Sequence, residues 1–325
     1  MALSLKNSKI VVTHSEAALA QAWRKALALR LPEAEIIIDP RPNEPAAVDD
    51  AIDDAVEFGV GWQPPDDFFA RYRRLRGFFS AAAGVEHVLG NPGLPLNLPV
   101  IRLEDAGMSI QMIEYCCQQV FRLRGRTEEY EQQQARKTWL ELTPIPRSSM
   151  RIGVFGLGVL GTRVASALAS FGYPIAGFSR TPKDIAGIAC FSGISALSDF
   201  LARSDVLILL APLTVETRRF LNASTLASLP KGAYLINVAR GGLIDDAAVL
   251  EALDSGQLGG ASLDVFNAEP LPAEHAYWKH PKVRITPHVS AITLVDESAD
   301  QVMGKLKAWV GGASIGGIVD RACGY

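Results

Sequence analysis

The sequence predicts an α/β protein built from two doubly wound parallel sheets, and three observations support this fold class. The chain has 325 residues, which corresponds to about two domains at roughly 150 residues each. Short apolar stretches alternate with segments of helical spacing along the whole chain. Many of these stretches are continuously apolar, as expected for strands that are covered by helices on both faces.

The first block of alternation occupies about the first hundred residues. Ile10–Thr13 is predicted as the first strand because it is apolar and β-branched. A helix follows, in which Leu19, Trp23 and Leu27 share one face. Further strands are predicted at Ile36–Ile38, Phe58–Gly61, Phe78–Ser80 and Pro99–Leu103, and a further helix over Ala46–Val56.

The second block opens with a long helix, after which the alternation restarts. Between Gly107 and Trp139 there is no proline, which predicts a long helix. The one glycine in this segment, Gly125, predicts a break in the helix near that residue. Leu294–Trp309 is predicted as the last helix, and the glycine-rich tail Gly311–Gly317 as loosely held. Between the long helix and this last helix, six strands are predicted: Arg151–Phe155, Ile175–Phe178, Val206–Leu210, Tyr234–Val238, Gly260–Val265 and Val283–Thr286.

Composition and charge exclude several classes of protein. With 48% hydrophobic residues, 21% charged residues and a net charge of −3, the chain has no electrostatic signature of binding to nucleic acid or to an anionic membrane. The longest apolar run, Val206–Leu213, is too short to span a bilayer. The four cysteines form no C-x-x-C pair, and Met1–Ser15 lacks the features of a signal peptide. We therefore expect no disulfide and no metal, and a cytoplasmic location.

A glycine motif follows the strand at Arg151–Phe155. Gly156, Gly158 and Gly161 form G-x-G-x-x-G between a predicted strand and a predicted helix, which is the context that a dinucleotide site requires. Gly156 permits the tight turn, Gly158 lets the backbone approach a pyrophosphate, and Gly161 allows close packing of helix on sheet. The motif predicts a dinucleotide in a Rossmann-like domain.

The end of the next strand favours a phosphorylated dinucleotide. Sites for NAD usually have an acidic residue here to hold the ribose 2′-hydroxyl, but this chain has none before Asp184. Arg180 supplies a cation instead, with Ser179 and Thr181 as hydroxyl donors. These residues predict a preference for NADP(H), with NAD(H) possible as a second cofactor. The alternative is an ordinary solvated turn.

Three ionisable residues follow three further strands. Arg240 comes after Tyr234–Val238, Glu269 after Gly260–Val265, and His288 after Val283–Thr286. Because ligands of open parallel sheets bind outside the carboxyl ends of the strands, the three side chains are candidates for one catalytic site. Other histidines, namely His14, His87, His275 and His280, are expected to lack such a strand-end position, and Asp245 is expected to be a helix N-cap.

The residues around these three side chains resemble the D-isomer-specific 2-hydroxyacid dehydrogenases. The matching segments are Asn237-Val-Ala-Arg240-Gly, Leu263-Asp-Val-Phe-Asn-Ala-Glu269-Pro and Thr286-Pro-His288-Val-Ser-Ala, with 29 residues from Arg240 to Glu269 and 19 from Glu269 to His288. Within this family, three other segments resemble the bacterial reductases of glyoxylate and hydroxypyruvate: Gly61-Trp62-Gln-Pro-Pro65, Ala81-Ala-Ala-Gly84-Val85-Glu86 and Leu103-Glu-Asp-Ala-Gly-Met108.

The resemblance implies a role for each candidate residue. Arg240 would bind the carboxylate and carbonyl oxygen of a 2-keto acid, His288 would protonate that oxygen, and Glu269 would orient the imidazole and favour its protonated form. Trp62 and the backbone of Ala82, Ala83, Gly84 and Val85 would contact the substrate. Asp264 would hold the nicotinamide carboxamide. The remaining cofactor contacts would come from Val159, Leu160, Ala211, Pro212, Val238, Ala239 and Ser290, with Arg240 and His288.

The resemblance also implies a domain plan and an oligomer. A discontinuous substrate-binding domain would consist of 1–101 plus 289–325, the dinucleotide-binding domain of 102–288, and the active site would lie in the cleft between them. Family members are commonly homodimers, with the segment after Gly107 in the interface. Trp139 would reach the partner's active site; ordinary interface or core packing is the alternative.

The implied reaction is NADPH-dependent reduction of glyoxylate to glycolate and of hydroxypyruvate to D-glycerate. A bulkier 2-keto acid remains open as the substrate. Formate dehydrogenases are disfavoured because they typically have glutamine where Glu269 stands, and phosphoglycerate dehydrogenases because the acidic residue after the second strand is missing. A non-enzymatic alternative is a dinucleotide-sensing corepressor, since one fold serves several functions.

Overall fold

The computed structural model describes residues 5–6, 8–40 and 53–324. These residues form two compact units, one of Met1–Gly107 with Thr293–Tyr325 and one of Met108–Ile292. Each unit has a parallel sheet whose strands alternate with helices. The predicted α/β class with two parallel sheets is confirmed.

The strands, in chain order, are β1 (Lys9–His14), β2 (Glu35–Ile38), β3 (Val56–Trp62), β4 (Gly77–Ser80), β5 (Val100–Ile101), β6 (Ile152–Phe155), β7 (Ile175–Ser179), β8 (Ile188–Ser192), β9 (Val206–Leu209), β10 (Ala233–Asn237), β11 (Leu258–Leu263) and β12 (Val283–Ile285). The α-helices are α1 (Ala17–Arg30), α2 (Phe68–Arg71), α3 (Glu86–Leu89), α4 (Met108–Arg124), α5 (Thr127–Ala135), α6 (Val159–Ser170), α7 (Leu197–Leu201), α8 (Ala223–Ala227), α9 (Asp246–Asp254) and α10 (Val295–Val310). Short 3₁₀ helices lie at Arg147–Ser149, Ile194–Ala196, Gly241–Leu243 and Ala276–Lys279.

The first unit has a five-stranded sheet in the order β2-β1-β3-β4-β5. Its apolar face is filled by aromatic side chains, because Phe68, Phe69 and Phe78 pack edge to face at centroid distances of 5.1–5.7 Å. The predicted apolar face of α1 is buried at Trp23 and Leu27. Pairing of β1 with β3 places the carboxyl ends of these strands, at His14 and Trp62, side by side.

The second unit has a seven-stranded sheet in the order β12-β11-β10-β9-β6-β7-β8. The chain runs outward from β6 through β7 to β8, and then returns to β9 and continues to the other edge. The strand order therefore reverses between β6 and β9, and such a switch point is where open α/β sheets bind their ligands. The central strands are buried along their full length, as their continuous apolar runs predict.

The local predictions are partly confirmed and partly wrong. The predicted long helix breaks as expected, with α4 ending at Arg124 and α5 beginning at Thr127. The helix predicted over Ala46–Val56 lies mostly outside the described residues, and Val56 itself begins β3. The tail predicted to be loose is tied to β5, since Gly317 O accepts from Arg102 N and Val319 N donates to Val100 O. His14 was expected to lack a strand-end position, but it is the last residue of β1.

Candidate active site

The glycine loop joins β6 to the N-terminus of α6. Gly156 adopts a φ of +112°, and a Cβ there would lie 2.4 Å from Ala211 N. A Cβ on Gly161 would lie 1.8 Å from Gly156 O. Both glycines are therefore required by the protein's own packing, which brings α6 against the loop after β9 at the switch point.

Gly158 differs from the other two glycines. It is the N-cap residue of α6 and has an ordinary extended conformation, with φ −77° and ψ −162°. A Cβ at this position would meet no atom of the described protein within 4 Å. Nothing in the packing of the described residues therefore requires glycine here. An approaching ligand would require it, and α6 presents its N-terminal N–H groups to an anion at this point. The loop thus fits a dinucleotide pyrophosphate.

The turn after β7 has the predicted residues, but one of them is used differently. Arg180 and Thr181 are exposed, as a site for a ribose phosphate requires. The Ser179 hydroxyl is buried and donates to the carbonyl oxygen of Thr181 at 2.7 Å. Ser179 therefore stabilises the turn that presents Arg180, and it could donate to a phosphate only by giving up that bond.

The other predicted cofactor residues lie at the same edge of the sheet. Val159 and Leu160 open α6 after the glycine loop. Ala211 and Pro212 follow β9, Val238 and Ala239 follow β10, and Ser290 lies in the loop after β12. Because these strands are parallel neighbours, their carboxyl ends together form one continuous edge.

Arg240 lies three residues beyond β10, in a loop that packs closely against the loop after β11. The contact is made at Gly241, where a Cβ would lie 1.9 Å from the backbone carbon of Phe266. Arg240 is partly buried, and its Nη1 donates to the carbonyl oxygen of Ala239 at 2.6 Å. The glycine after Arg240 therefore brings the guanidinium loop against the loop that contains Glu269.

His288 and Glu269 are in direct contact. His288 Nδ1 lies 2.8 Å from Glu269 Oε2, and both side chains are partly exposed. The second carboxylate oxygen, Glu269 Oε1, accepts a hydrogen bond from Phe266 N at 2.9 Å, which fixes the carboxylate. An ionised carboxylate can only accept, so Nδ1 carries a proton and Nε2 is the nitrogen left to face a substrate. The pair has the geometry that an acid–base centre requires.

Asp264 is fully buried directly after β11, and both of its side-chain oxygens are bound to the loop after β12. Oδ1 accepts from the hydroxyl of Thr286 and from Val289 N, and Oδ2 accepts from Ser290 N. The hydroxyl of Tyr115 on α4 lies 2.6 Å from the same Thr286 oxygen. Sequence reasoning missed Tyr115 and Thr286, because a helix and a strand end 171 residues apart give no local signal of their contact.

The predicted substrate residues of the first unit surround the carboxyl ends of β3 and β4. Trp62 ends β3 and stacks on His87, with ring centroids 3.7 Å apart. The segment 82–85 joins β4 to α3; Val85 is buried in the core, and Ala82 N donates to the hydroxyl of Ser80. His87 and Ser80, which are 3.5 Å apart, were not predicted as site residues.

Trp139 lies in the segment after α5 and is fully exposed. Core packing within its own chain, one of the two alternatives, is therefore wrong for this residue.

Cys116 and Cys117 are buried on α4, as expected for packing residues, and the four cysteines are free thiols. Asp245 is confirmed as the N-cap of α9, since its carboxylate accepts from Ala247 N and Ala248 N. Across residues 5–6, 8–40 and 53–324, no helix combines the length and the apolarity needed to cross a membrane.

Comparison with known proteins identifies one family. The sequence pattern of the D-isomer specific 2-hydroxyacid dehydrogenase NAD-binding domain matches residues 117–290. A glyoxylate/hydroxypyruvate reductase A of Yersinia enterocolitica is 40% identical over 311 residues, which cover 94% of this chain and 96% of that protein. A protein of the same name from Serratia proteamaculans is also 40% identical, over 94% of this chain and 96% of its own.

Solved structures agree with this assignment. A D-isomer specific 2-hydroxyacid dehydrogenase from Xanthobacter autotrophicus, crystallised with NADPH and MES, superposes with a TM-score of 0.91 at 36% identity and covers 98% of this chain and 100% of its own. An NADPH-dependent glyoxylate/hydroxypyruvate reductase from Sinorhizobium meliloti, crystallised with NADP and sulfate, gives a TM-score of 0.89 at 34% identity, with 98% and 100% coverage. The family resemblance predicted from the sequence motifs is confirmed.

Proposed function

Because the chain belongs to the D-isomer specific 2-hydroxyacid dehydrogenase family, we propose that it catalyses the NADPH-dependent reduction of small 2-keto acids. The substrates are glyoxylate, reduced to glycolate, and hydroxypyruvate, reduced to D-glycerate. The observation that carries the proposal is the 2.8 Å contact of His288 with Glu269, beside a loop that contains Arg240. Relatives named for these two substrates support the choice of substrate class.

His288 is the proton donor in this proposal. Its Nδ1–H is held by Glu269, whose own position is fixed by the N–H of Phe266. The imidazolium gives its Nε2 proton to the keto oxygen, which becomes the hydroxyl of the product, and the neutral imidazole keeps its Nδ1–H bond to Glu269. The Glu269 carboxylate holds the imidazole in the orientation from which the proton is transferred.

Arg240 binds and orients the 2-keto acid. A planar guanidinium can make two parallel hydrogen bonds to a carboxylate, and it also stabilises negative charge that develops on the neighbouring carbonyl oxygen. The backbone of 82–85 and the ring of Trp62 complete the proposed substrate contacts from the first unit. The bulk of Trp62 restricts the side chain that a substrate can have.

The glycine loop and the turn after β7 hold the cofactor in this proposal. The N-terminus of α6 binds the pyrophosphate at Gly158, and Arg180 meets the 2′-phosphate. When bound, NADPH supplies the hydride that reduces the keto carbon. Asp264 is proposed to hold the nicotinamide carboxamide. It would do so while keeping the three hydrogen bonds that its carboxylate accepts within the protein.

We propose further that the protein is a cytoplasmic homodimer whose domains follow the discontinuous plan predicted from the sequence, 1–101 plus 289–325 and 102–288; the two compact units differ from these bounds by six and four residues. Support for the dimer comes from the second unit, where Trp139 and Leu140 are exposed in the segment after α5. Exposed apolar clusters are typical of association surfaces.

A steady-state panel tests the proposed function. Glyoxylate, hydroxypyruvate, pyruvate and phenylpyruvate are each assayed with NADPH and with NADH, by the loss of cofactor absorbance. Glyoxylate and hydroxypyruvate with NADPH should give the highest kcat/KM. Preference for phenylpyruvate would assign a bulkier substrate, and tight NADPH binding without turnover of any keto acid would support the corepressor alternative.

A further inference from the structure

We propose that Tyr115 and Thr286 are positioning residues for His288, acting through the carboxylate of Asp264. The inference rests on the proposed function, because it concerns the proton donor of that reaction. Among the described residues, neither side chain forms a hydrogen bond with His288, so their role is indirect. They fix the buried carboxylate that in turn fixes the backbone around His288.

The three side chains meet because of the strand register. Leu263 and Ile285, the last residues of β11 and β12, are register partners. The residues that follow them, Asp264 and Thr286, therefore lie side by side at the carboxyl edge, with the Thr286 hydroxyl 2.6 Å from Asp264 Oδ1. Helix α4 brings the Tyr115 hydroxyl within 2.6 Å of the same Thr286 oxygen.

The direction of these hydrogen bonds is fixed by chemistry. A carboxylate can only accept, so Thr286 donates its single hydroxyl hydrogen to Asp264. The Thr286 oxygen can then only accept from Tyr115, whose hydroxyl is the donor. Burial, with the nearby charge of Asp264 as a smaller cause, raises the pKa of Tyr115 to about 12. The phenol therefore keeps its proton at neutral pH and can donate throughout the working range of the protein.

The carboxylate of Asp264 fixes the backbone that follows His288. Val289 N donates to Oδ1 and Ser290 N to Oδ2, both at 2.9 Å. The backbone carbonyl of Asp264 also accepts from His288 N at 2.8 Å. Three consecutive N–H groups, those of residues 288, 289 and 290, are therefore bound to one buried residue.

His288 needs such restraint because of its own conformation. Its φ is +56°, in the left-handed region that residues other than glycine adopt at a cost. Conformations of this kind persist only where the surroundings hold them. If the hydroxyl of Tyr115 is removed, Thr286 can rotate and Asp264 loses an oriented donor. The loop then samples other conformations, and the imidazole spends less time against Glu269.

A second tyrosine in the same unit provides a matched control. The hydroxyl of Tyr234 lies 2.9 Å from Ser262 Oγ, and Ser262 donates to Gln119 Oε1 at 2.9 Å. Gln119 is on α4, four residues after Tyr115. Tyr234 therefore donates to the hydroxyl of Ser262, as Tyr115 donates to that of Thr286. The hydrogen bonds from Tyr234 end at Gln119 on α4, whereas those from Tyr115 lead to Asp264 and the loop of His288. Tyr234→Phe removes an equivalent bond without touching that loop.

The proposal is tested by amide hydrogen exchange of the full-length protein and by steady-state kinetics. In Tyr115→Phe, peptides that cover 287–292 should exchange about three- to tenfold faster, the effect of losing one buried hydrogen bond. The kcat for hydroxypyruvate should fall by a similar factor of about three to ten, while its KM changes less than about twofold. Thr286→Val should act at least as strongly, and Thr286→Ser should restore both quantities.

The control separates positioning from a general loss of stability. Tyr234→Phe should leave the exchange of 287–292 and kcat at wild-type values. Wild-type exchange and kcat in Tyr115→Phe would overturn the proposal, and so would equal effects of Tyr115→Phe and Tyr234→Phe. Absence of keto-acid turnover in the wild-type protein would contradict the proposed function instead, and the exchange measurement would still decide whether Tyr115 holds the loop.

Discussion

At the scale of single residues, the proposed reaction depends first on His288 as its proton donor. His288→Ala should lower kcat by about 10²- to 10⁴-fold, the usual contribution of a positioned general acid, while NADPH still binds. Glu269→Gln keeps the side-chain volume but replaces the carboxylate that accepts from His288 Nδ1 by a neutral amide, so kcat should fall in this variant as well. Retention of more than about a tenth of wild-type kcat in His288→Ala would argue against the assignment.

The cofactor preference depends on Arg180. One charge-assisted bond to the 2′-phosphate implies about 10- to 150-fold higher kcat/KM with NADPH than with NADH. Arg180→Ala should raise the KM for NADPH and leave that for NADH nearly unchanged. Lys231→Ala is the control, because Lys231 is an exposed cation that precedes β10 at the opposite edge of the sheet. Equal efficiency of the wild type with both cofactors would show that Arg180 is a solvated turn residue.

At the scale of elements, the glycine loop allows a paired test. In Gly161→Ala the new Cβ would lie 1.8 Å from Gly156 O, and such overpacking costs about 1–3 kcal/mol. In Gly158→Ala the new Cβ meets no described protein atom within 4 Å, so the free energy of unfolding should change by about 0.5 kcal/mol or less. Its NADPH affinity should nevertheless fall.

Thermal unfolding without cofactor and titration of NADPH by fluorescence check both variants. Wild-type NADPH affinity in Gly158→Ala would mean that the pyrophosphate does not approach this glycine. Loss of stability in Gly158→Ala without cofactor would mean that the space beside it is needed by the protein itself.

The strands that the sequence predicted most closely in the second unit are buried along their full length. Such strands give continuous apolar runs, so β6, β9 and β10 could be predicted to within one or two residues. Strand β8 is an edge strand with only its first residue buried; its short apolar run, Ile188–Phe191, was not predicted as a strand. The tail was misjudged because its glycines suggest mobility, whereas its order comes from backbone bonds to β5.

The site was predictable to the extent that it lies in local motifs. Arg240, Glu269, His288 and the glycine loop each follow a strand, so the strand pattern alone places them at one edge. The donors around Asp264 could not be found in this way. Tyr115 is on a helix far away in the chain, and only the packing of α4 on the sheet brings it to Thr286.

At the scale of the whole molecule, the proposed homodimer is testable by mass. Light scattering of the wild type should give twice the mass of one chain. Trp139→Glu combined with Leu140→Glu should give a single chain, since two charges would be placed in the proposed interface. Leu29→Glu with Leu96→Glu, two exposed leucines of the first unit, should leave the dimer intact. A wild type that scatters as one chain would contradict the dimer.

The most direct test of the proposed reaction follows the transferred atom. Hydroxypyruvate is reduced with NADPH that carries deuterium at both C4 positions, and the glycerate is analysed by mass spectrometry and by chiral separation. Hydride transfer from NADPH should give D-glycerate with one deuterium on C2. Glycerate without deuterium, or glycerate of the L configuration, would contradict it.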